Sequence, residues 1–325
     1  MLSFRTTRAA MAGALLLAGA AAASAQSWPT RNIQAISPFS AGNANDIVAR
    51  IVLDQVSKQI GQTFVLENRP GGGGVIGVTQ VAKAEPDGYT MLLLSSTLAS
   101  HPVLHKALSY DPVKDFAVTA LFGFQPSVLV ASPSKGWKDI KDLVAHARAN
   151  PGKLNYASAG VGSASQMAAE RLRLAAKIQA QHIPFRGPVE AFTEVMAGRV
   201  DYYYLPISPA LPNIKSGKVV ALAVSTPERA KLLPDVPTVR EAGFPTAEYL
   251  FWGGVAFPAK TPRPIVEKMN AEIAKALAAP GIAERLATFG VVPKPMSVAE
   301  FDKFYRDYVA ETVKLAKDIN LTPAN

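Results

Sequence analysis

Residues 33–67 read IQAISPFSAGNANDIVARIVLDQVSKQIGQTFVLE, and the order of patterns in this stretch decides the fold. Ile33 to Ser37 is a short apolar run of strand type. Asn45 to Ile60 carries Ile47, Val48, Ile51, Val52 and Val56 at helical spacing, Gly61 supplies a C-terminal stop, and Phe64 to Glu67 returns as a strand. The alternation continues with a helix over Val75 to Ala84, a turn at Pro86-Asp87-Gly88 and a buried strand over Thr90 to Leu94. Apolar strands separated by amphipathic helices call for a parallel sheet covered by helices, an α/β fold.

The same grammar appears a second time. Val128 to Ala131 reads as a strand, Trp137 to Ala149 as a helix, Leu154 to Ala157 as a strand and Ser165 to Ala176 as a helix; Gln181 to Ile183, Val189 to Met196 and Val200 to Tyr204 then repeat strand, helix, strand. Val219 to Ser225 is a last apolar strand leading back toward the first unit. The tail is helical over Pro264 to Ala278, Ile282 to Phe289 and Val298 to Lys317, the last with Phe301, Phe304, Tyr305, Tyr308 and Val309 on one face. The expected organisation is domain 1 from 26–126 and 227–325, domain 2 from 127–226, with a ligand cleft between them.

With 325 residues, 49% hydrophobic and 18% charged, the chain has ample material for a packed core and none of the signature of disorder. The absence of cysteine excludes disulfide frameworks, thiolate zinc sites, iron–sulfur clusters, cysteine nucleophiles and a lipidated N-terminus. Residues 1–25 read as an export signal: Arg5 and Arg8, an Ala- and Leu-rich run, then Ala23-Ser24-Ala25, with cleavage before Gln26. A membrane anchor is the alternative, but the run is short and ends in Gln26-Ser27. Loss of two arginines and no acid takes the net charge from +9 to +7. A periplasmic location follows, and scattered Lys and Arg with no two adjacent argue against nucleic acid and for a mild attraction to small anions.

Three loops after strands carry the functional signal. Ser37 to Asp46, Ser95-Ser96-Thr97 and Ala159 to Ser165 are rich in small residues that let backbone N–H groups face a ligand, and a helix N-terminus favours negative charge there. The plain alternative for the first loop is a turn with Asn43 or Asn45 as N-cap. Gly72-x-Gly74-x-x-Gly77 has the spacing of a dinucleotide fingerprint but follows the wrong strand, and no phosphate loop is present, so no cofactor is expected. His101 and His105 are four apart without a carboxylate pair and read as structural rather than metal-binding. No Gly-x-Ser-x-Gly supports a serine hydrolase, although His146 and His182 exist.

Six ordered motifs carry a family resemblance: Pro38-Phe39-Ser40-Ala41-Gly42, Glu67-Asn68-Arg69-Pro70-Gly71, Pro86-Asp87-Gly88-Tyr89-Thr90, Tyr110 to Phe116, Pro151 to Tyr156 and Leu233 to Thr238. The mature chain resembles the Bug family of extracytoplasmic receptors, the solute-binding components of tripartite tricarboxylate transporters. The resemblance implies a two-domain periplasmic binding protein of type II. It would capture a small carboxylate between its domains and deliver it to membrane permease subunits, acting as a monomer and not as an enzyme. The family's ligand loops fall on Phe39 to Asp46, with Phe39, Ala41, Gly42, Asn43, Asn45 and Asp46 as candidates; on Ser95 to Ala99, with Ser95, Ser96 and Thr97; on Ala159 to Ser165, with Gly160, Gly162, Ser163 and Ser165; and on Phe185, Arg186 and Gly187, while the strand end Tyr202 to Tyr204 offers Tyr204 as a further candidate lining the cleft.

Departures from the family pattern bear on the ligand. Asn43 replaces a second glycine, Arg186 stands where Lys is common, and Leu205 occupies a place that is acidic in many relatives. Loss of that acid argues against an amino-acid ligand, and Phe39, Phe185 and the Tyr202 to Tyr204 run suit an organic or aromatic carboxylate. The expected mechanism is binding: apolar walls supply area, backbone donors and Arg186 orient the carboxylate, and closure excludes water. A periplasmic hydrolase and a sensor subunit feeding a signalling receptor are the alternatives.

Overall fold

The computed structural model describes residues 28–105 and 107–321; the expected export signal lies outside them. In chain order the strands are β1 (Ile33–Ser37), β2 (Phe64–Asn68), β3 (Thr90–Ser95), β4 (Phe116–Gln125), β5 (Ser127–Ala131), β6 (Leu154–Ser158), β7 (Ala180–Pro184), β8 (Tyr202–Pro206), β9 (Val220–Val224), β10 (Phe251–Pro258) and β11 (Val292–Pro293). The α-helices are α1 (Ala44–Ile60), α2 (Val75–Ala82), α3 (His101–Leu104), α4 (Ile140–Ala149), α5 (Ala164–Ala176), α6 (Pro188–Met196), α7 (Ile207–Lys215), α8 (Arg263–Leu277), α9 (Ile282–Thr288) and α10 (Val298–Asp318).

Two mixed sheets result. The first has the order β11-β4-β10-β3-β1-β2, the second β7-β6-β8-β5-β9. β1 pairs in parallel with β2 and β3, and β6 with β7 and β8, as the alternating pattern requires. β10 runs antiparallel between β3 and β4, and β5 antiparallel between β8 and β9. The sequence reading did not assign β4, β10 or α7. β4 is ten almost wholly buried residues without an alternating face, and α7 contains Pro212. Helix α4 begins at Ile140 rather than Trp137, because the Asp139 carboxylate caps the N–H groups of Lys141 and Asp142.

The chain crosses between sheets twice. β4 passes into β5 at Pro126, and the return from β9 to β10 runs alongside. Ser127 Oγ and Ser225 Oγ lie 2.5 Å apart, Ser225 Oγ donates to Tyr249 O at 2.6 Å, and Tyr249 N–H donates to Ser225 O at 3.0 Å. Both serines are fully buried, so these bonds tie the crossovers into one knot.

Helix α1 shows why the elements form where they do. Asn43 caps its start, Gly61 ends it with φ +67 and an N–H to Ser57 O, and Val48, Ile51, Val52 and Val56 go under it against the first sheet. On the other face α10 brings Phe301, Phe304, Tyr305 and Tyr308 around the buried Trp252, with ring centroids 5.4–6.0 Å apart in edge-on arrangements. That cluster continues through Tyr249 and Ala247 to Tyr156, Tyr202 and Tyr204 of the second sheet, so one apolar core spans both sheets on this side.

Candidate ligand-binding site

The loops β1–α1 and β6–α5 repeat one device. In each, a glycine with positive φ, Gly42 (+80°) or Gly162 (+73°), precedes the N-cap residue, Asn43 or Ser163. Asn43 Oδ1 accepts from Asp46 N–H at 3.1 Å while the Asp46 carboxylate accepts from Gly42 N–H at 3.0 Å. Ser163 Oγ accepts from Gln166 N–H at 3.4 Å while Gln166 Oε1 accepts from Gly162 N–H at 2.6 Å. The third helical residue thus reaches back past the N-cap to the glycine, a variant of the capping box. Serines at the strand ends complete the match: Ser37 Oγ donates to Phe39 O at 3.4 Å, and Ser158 Oγ to Gly160 O at 2.9 Å.

This device revises what the sequence suggested about free amide donors. The N–H groups of Gly42, Gly160 and Gly162, expected to face a ligand, donate to Asp46, Ser158 and Gln166 in this conformation. Ala159 N–H likewise donates to Ser165 Oγ at 3.0 Å. The physical reason is local: polar side chains at the strand end and in the first helical turn outcompete solvent for nearby backbone donors. Among the described residues the N–H groups of Ala41 and Val161 have no such partner.

Asp46 is itself the anion at the α1 N-terminus. It is 2% exposed, and its carboxylate also accepts from Asn68 Nδ2 at 3.0 Å and pairs with Arg50 at 3.2 Å. Burial alone would raise its pKa, but the hydrogen bonds from Gly42, Asn68 and Arg50 outweigh burial and hold it below the usual 3.8. Asn43 Nδ2 is spent on Ser40 O at 2.6 Å. Asn45 turns inward: Nδ2 donates to Leu94 O at 3.3 Å, and Oδ1 lies where a Cβ on Gly253 would come within 1.8 Å of it. Asn43, Asn45 and Asp46 therefore build the loop's frame.

The loop after β3 brings the two sheets together. Ser95 and Ser96 are buried, Ser95 Oγ without a partner, and Thr97 is half-buried. Ser100 Oγ, 2.8 Å from its own loop's Thr97 O, also reaches across the gap to Gly162 O at 2.8 Å, sharing its proton between the two, and Leu104 packs so closely on Gly162 that a Cβ there would lie 1.8 Å from Leu104 Cδ1. His101, 1% exposed, secures this loop. Gly73 O, 3.1 Å from Nε2, can only accept, so Nε2 carries the proton and Nδ1 accepts from Tyr110 OH at 2.5 Å. Burial, with His105 nearby, pushes the His101 pKa down to about 4. Among the described residues no cluster of three His, Asp or Glu side chains could hold a metal ion.

The remaining candidates divide. Phe185 N–H donates to Ser158 O at 3.0 Å, and Phe185 O lies beside Gly160, so 185–187 flanks the Ala159 to Ser165 loop. Arg186 is exposed, its backbone N–H donates to Glu190, and its guanidinium has no carboxylate partner among the described residues. Tyr204 does not line an open cleft in this conformation. Strand alternation turns it under α5 with Tyr156 and Tyr202, fully buried. The sequence reading did not single out Ser100, Leu104 or Gln166. Ser163-x-x-Gln166, the spacing of a capping box, was the available signal for Gln166.

A family model described as tripartite tricarboxylate transporter family receptor matches residues 48–321. The chain belongs to this receptor family. A Pseudomonas sp. (strain P51) protein known from the tcbD-tcbE intergenic region is 40% identical over 288 residues, covering 88% of this receptor and 86% of the relative. An R. palustris protein solved with adipate aligns with a TM-score of 0.83 at 28% identity, covering 91% of this receptor and all of that chain. MatC from Rhodopseudomonas palustris, solved with bound malate, aligns at 0.79 and 33% identity, covering 89% and 99%. The receptor thus has the fold of periplasmic solute-binding proteins, and no described helix is long and apolar enough to cross a membrane.

Proposed function

We propose that this receptor captures a small organic carboxylate between its two sheets and hands it to the permease subunits of a tripartite transporter, without making or breaking covalent bonds. The observation that carries this reading is the cross-sheet contact of Ser100 with Gly162, where two loops of helix N-terminal type face each other. The adipate- and malate-bound relatives support the ligand class. In this reading 26–126 with 227–325 and 127–226 are two domains, Pro126 and the Ser225 to Tyr249 return form the hinge, and closure presses Phe39, Phe185 and the three loops onto the ligand. Arg186, exposed and without an ion-pair partner among the described residues, supplies the mobile charge. A signal peptide cut before Gln26 would release the receptor as a free monomer.

The test is a thermal-shift and calorimetry panel of malate, adipate, aromatic carboxylates and amino acids on purified receptor. A ligand that binds only the folded state raises the melting temperature, by an amount set by its concentration relative to Kd. Tight binding of amino acids alone overturns the reading, and turnover of an ester or amide panel would replace it with a hydrolase.

A further inference from the structure

His182 lies on β7, the edge strand of the second sheet. Its ring stacks on Tyr156 at 5.0 Å and 19°, Nε2 lies 2.6 Å from Ser158 Oγ, and Nδ1 lies 3.1 Å from Gln166 Nε2. The protons along this chain are fixed by what each end permits. Gly162 N–H can only donate, so the Gln166 atom facing it at 2.6 Å is the oxygen, and the Gln166 amide nitrogen must be the atom aimed at His182. Nδ1 therefore accepts, and in the neutral ring Nε2 carries the hydrogen, donated to Ser158 Oγ. Ser158 Oγ in turn accepts from Gly160 N–H at 3.2 Å and donates to Gly160 O at 2.9 Å.

We infer that His182 is a positioning residue: in its Nε2–H form it fixes, through Ser158 and Gln166, the direction in which the Gly160 and Gly162 peptides point within the second-sheet ligand loop. One imidazole thereby controls both ends of the loop, and Gly162 O is the acceptor that Ser100 meets from the first sheet. The opposite tautomer would set Nδ1–H against the Gln166 amide hydrogens and leave Ser158 Oγ facing a lone pair. The partner loop reaches the same end with Asp46, Asn68 and Arg50, so the two loops share a cap and differ in what holds it. The groups packed about the ring are Tyr156 from β6, whose hydroxyl donates to Glu170 of α5, and Tyr202 of β8, stacked on Tyr156 at 5.6 Å. The importance of the peptide directions for affinity rests on the proposed carboxylate capture; the tautomer and the loop geometry do not.

Three substitutions dissect the chain. His182→Phe keeps the stack on Tyr156 and removes both hydrogen bonds, His182→Asn keeps an acceptor near the Nδ1 position, and His182→Gln keeps a donor near the Nε2 position. On uniformly 15N-labelled receptor at pH 7, long-range 1H–15N correlation is expected to show Nε2 protonated and Nδ1 bare. Amide exchange should accelerate about tenfold, the equivalent of one neutral hydrogen bond, at both Gly160 and Gly162 in the Phe variant. It should accelerate at Gly160 alone in the Asn variant and at Gly162 alone in the Gln variant. An Nδ1–H tautomer in the wild type, or exchange at the two glycines that does not follow this split, overturns the inference. Calorimetry with malate and adipate is run alongside. If neither binds the wild type, the carboxylate reading fails while the tautomer and exchange pattern still decide the role of His182.

Discussion

Ser100 Oγ lies 2.8 Å from Gly162 O and 2.8 Å from Thr97 O, so its one hydroxyl proton is shared between them and bridges the loop after β3 in the first sheet to the β6–α5 loop of the second. Leu104 rests on the α-carbon of the same glycine. Close approach of the two sheets at this point thus depends on a residue without a side chain and with a positive φ.

Gly162→Ala is expected to block that approach. The new Cβ would sit 1.8 Å from Leu104 Cδ1, and holding an L-residue at φ +73° costs about 1–2 kcal/mol. Carboxylate affinity measured by calorimetry should fall by more than the melting temperature suggests. Adding Leu104→Ala should recover part of the affinity, because it removes the clash and leaves only the backbone strain.

Asp46→Asn should destabilise the receptor by about 1–3 kcal/mol in urea unfolding, since a buried anion with three sets of donors becomes a neutral amide that cannot accept from all of them. The wild-type carboxyl has a lowered pKa, so its contribution is present above the ordinary carboxylate range and is lost as pH falls below 3.8. The variant should show a shallower acid limb there.

His101 has the opposite charge logic. Its folded pKa lies near 4 against an ordinary 6.5, so the fold favours the neutral ring. Its contribution is complete above pH 6.5 and is lost as pH drops toward 4, amounting to about 3 kcal/mol over that interval. His182, also lowered to about 4 by burial, acts in the same window with the same sign. Unfolding free energies at pH 7, 5.5 and 4.5 should decline for the wild type and decline less for His101→Gln.

Arg186→Ala should leave stability within about 0.5 kcal/mol, because the side chain is exposed and free of ion pairs among the described residues. Malate or adipate affinity should fall roughly tenfold at low salt, the scale of one charge-assisted hydrogen bond. Unchanged affinity would remove Arg186 from the site.

The sequence was most legible where structure is local. Helical spacing and Gly61 located α1, and the repeated strand–helix pattern anticipated the parallel triplets β2-β1-β3 and β7-β6-β8. β4 and β10 were not legible, because their pairing is antiparallel and long-range and their residues are buried on both faces, leaving no period to detect. Tyr204 illustrates the same limit: aromatic character suggested a cleft wall, while the pairing of β8 with β5 and β6 turned the ring beneath α5.

By itself, the sequence determined the two strand–helix repeats, the stop of α1 at Gly61 and the absence of thiol chemistry, the first two because they depend on neighbours a few residues away. Only the tertiary structure decided which amides are already spoken for, that Asp46 belongs to the frame, and that Ser100, Leu104 and Gly162 meet. Those outcomes depend on side chains brought together across two sheets, and burial in a shared core, not chain proximity, sets their geometry.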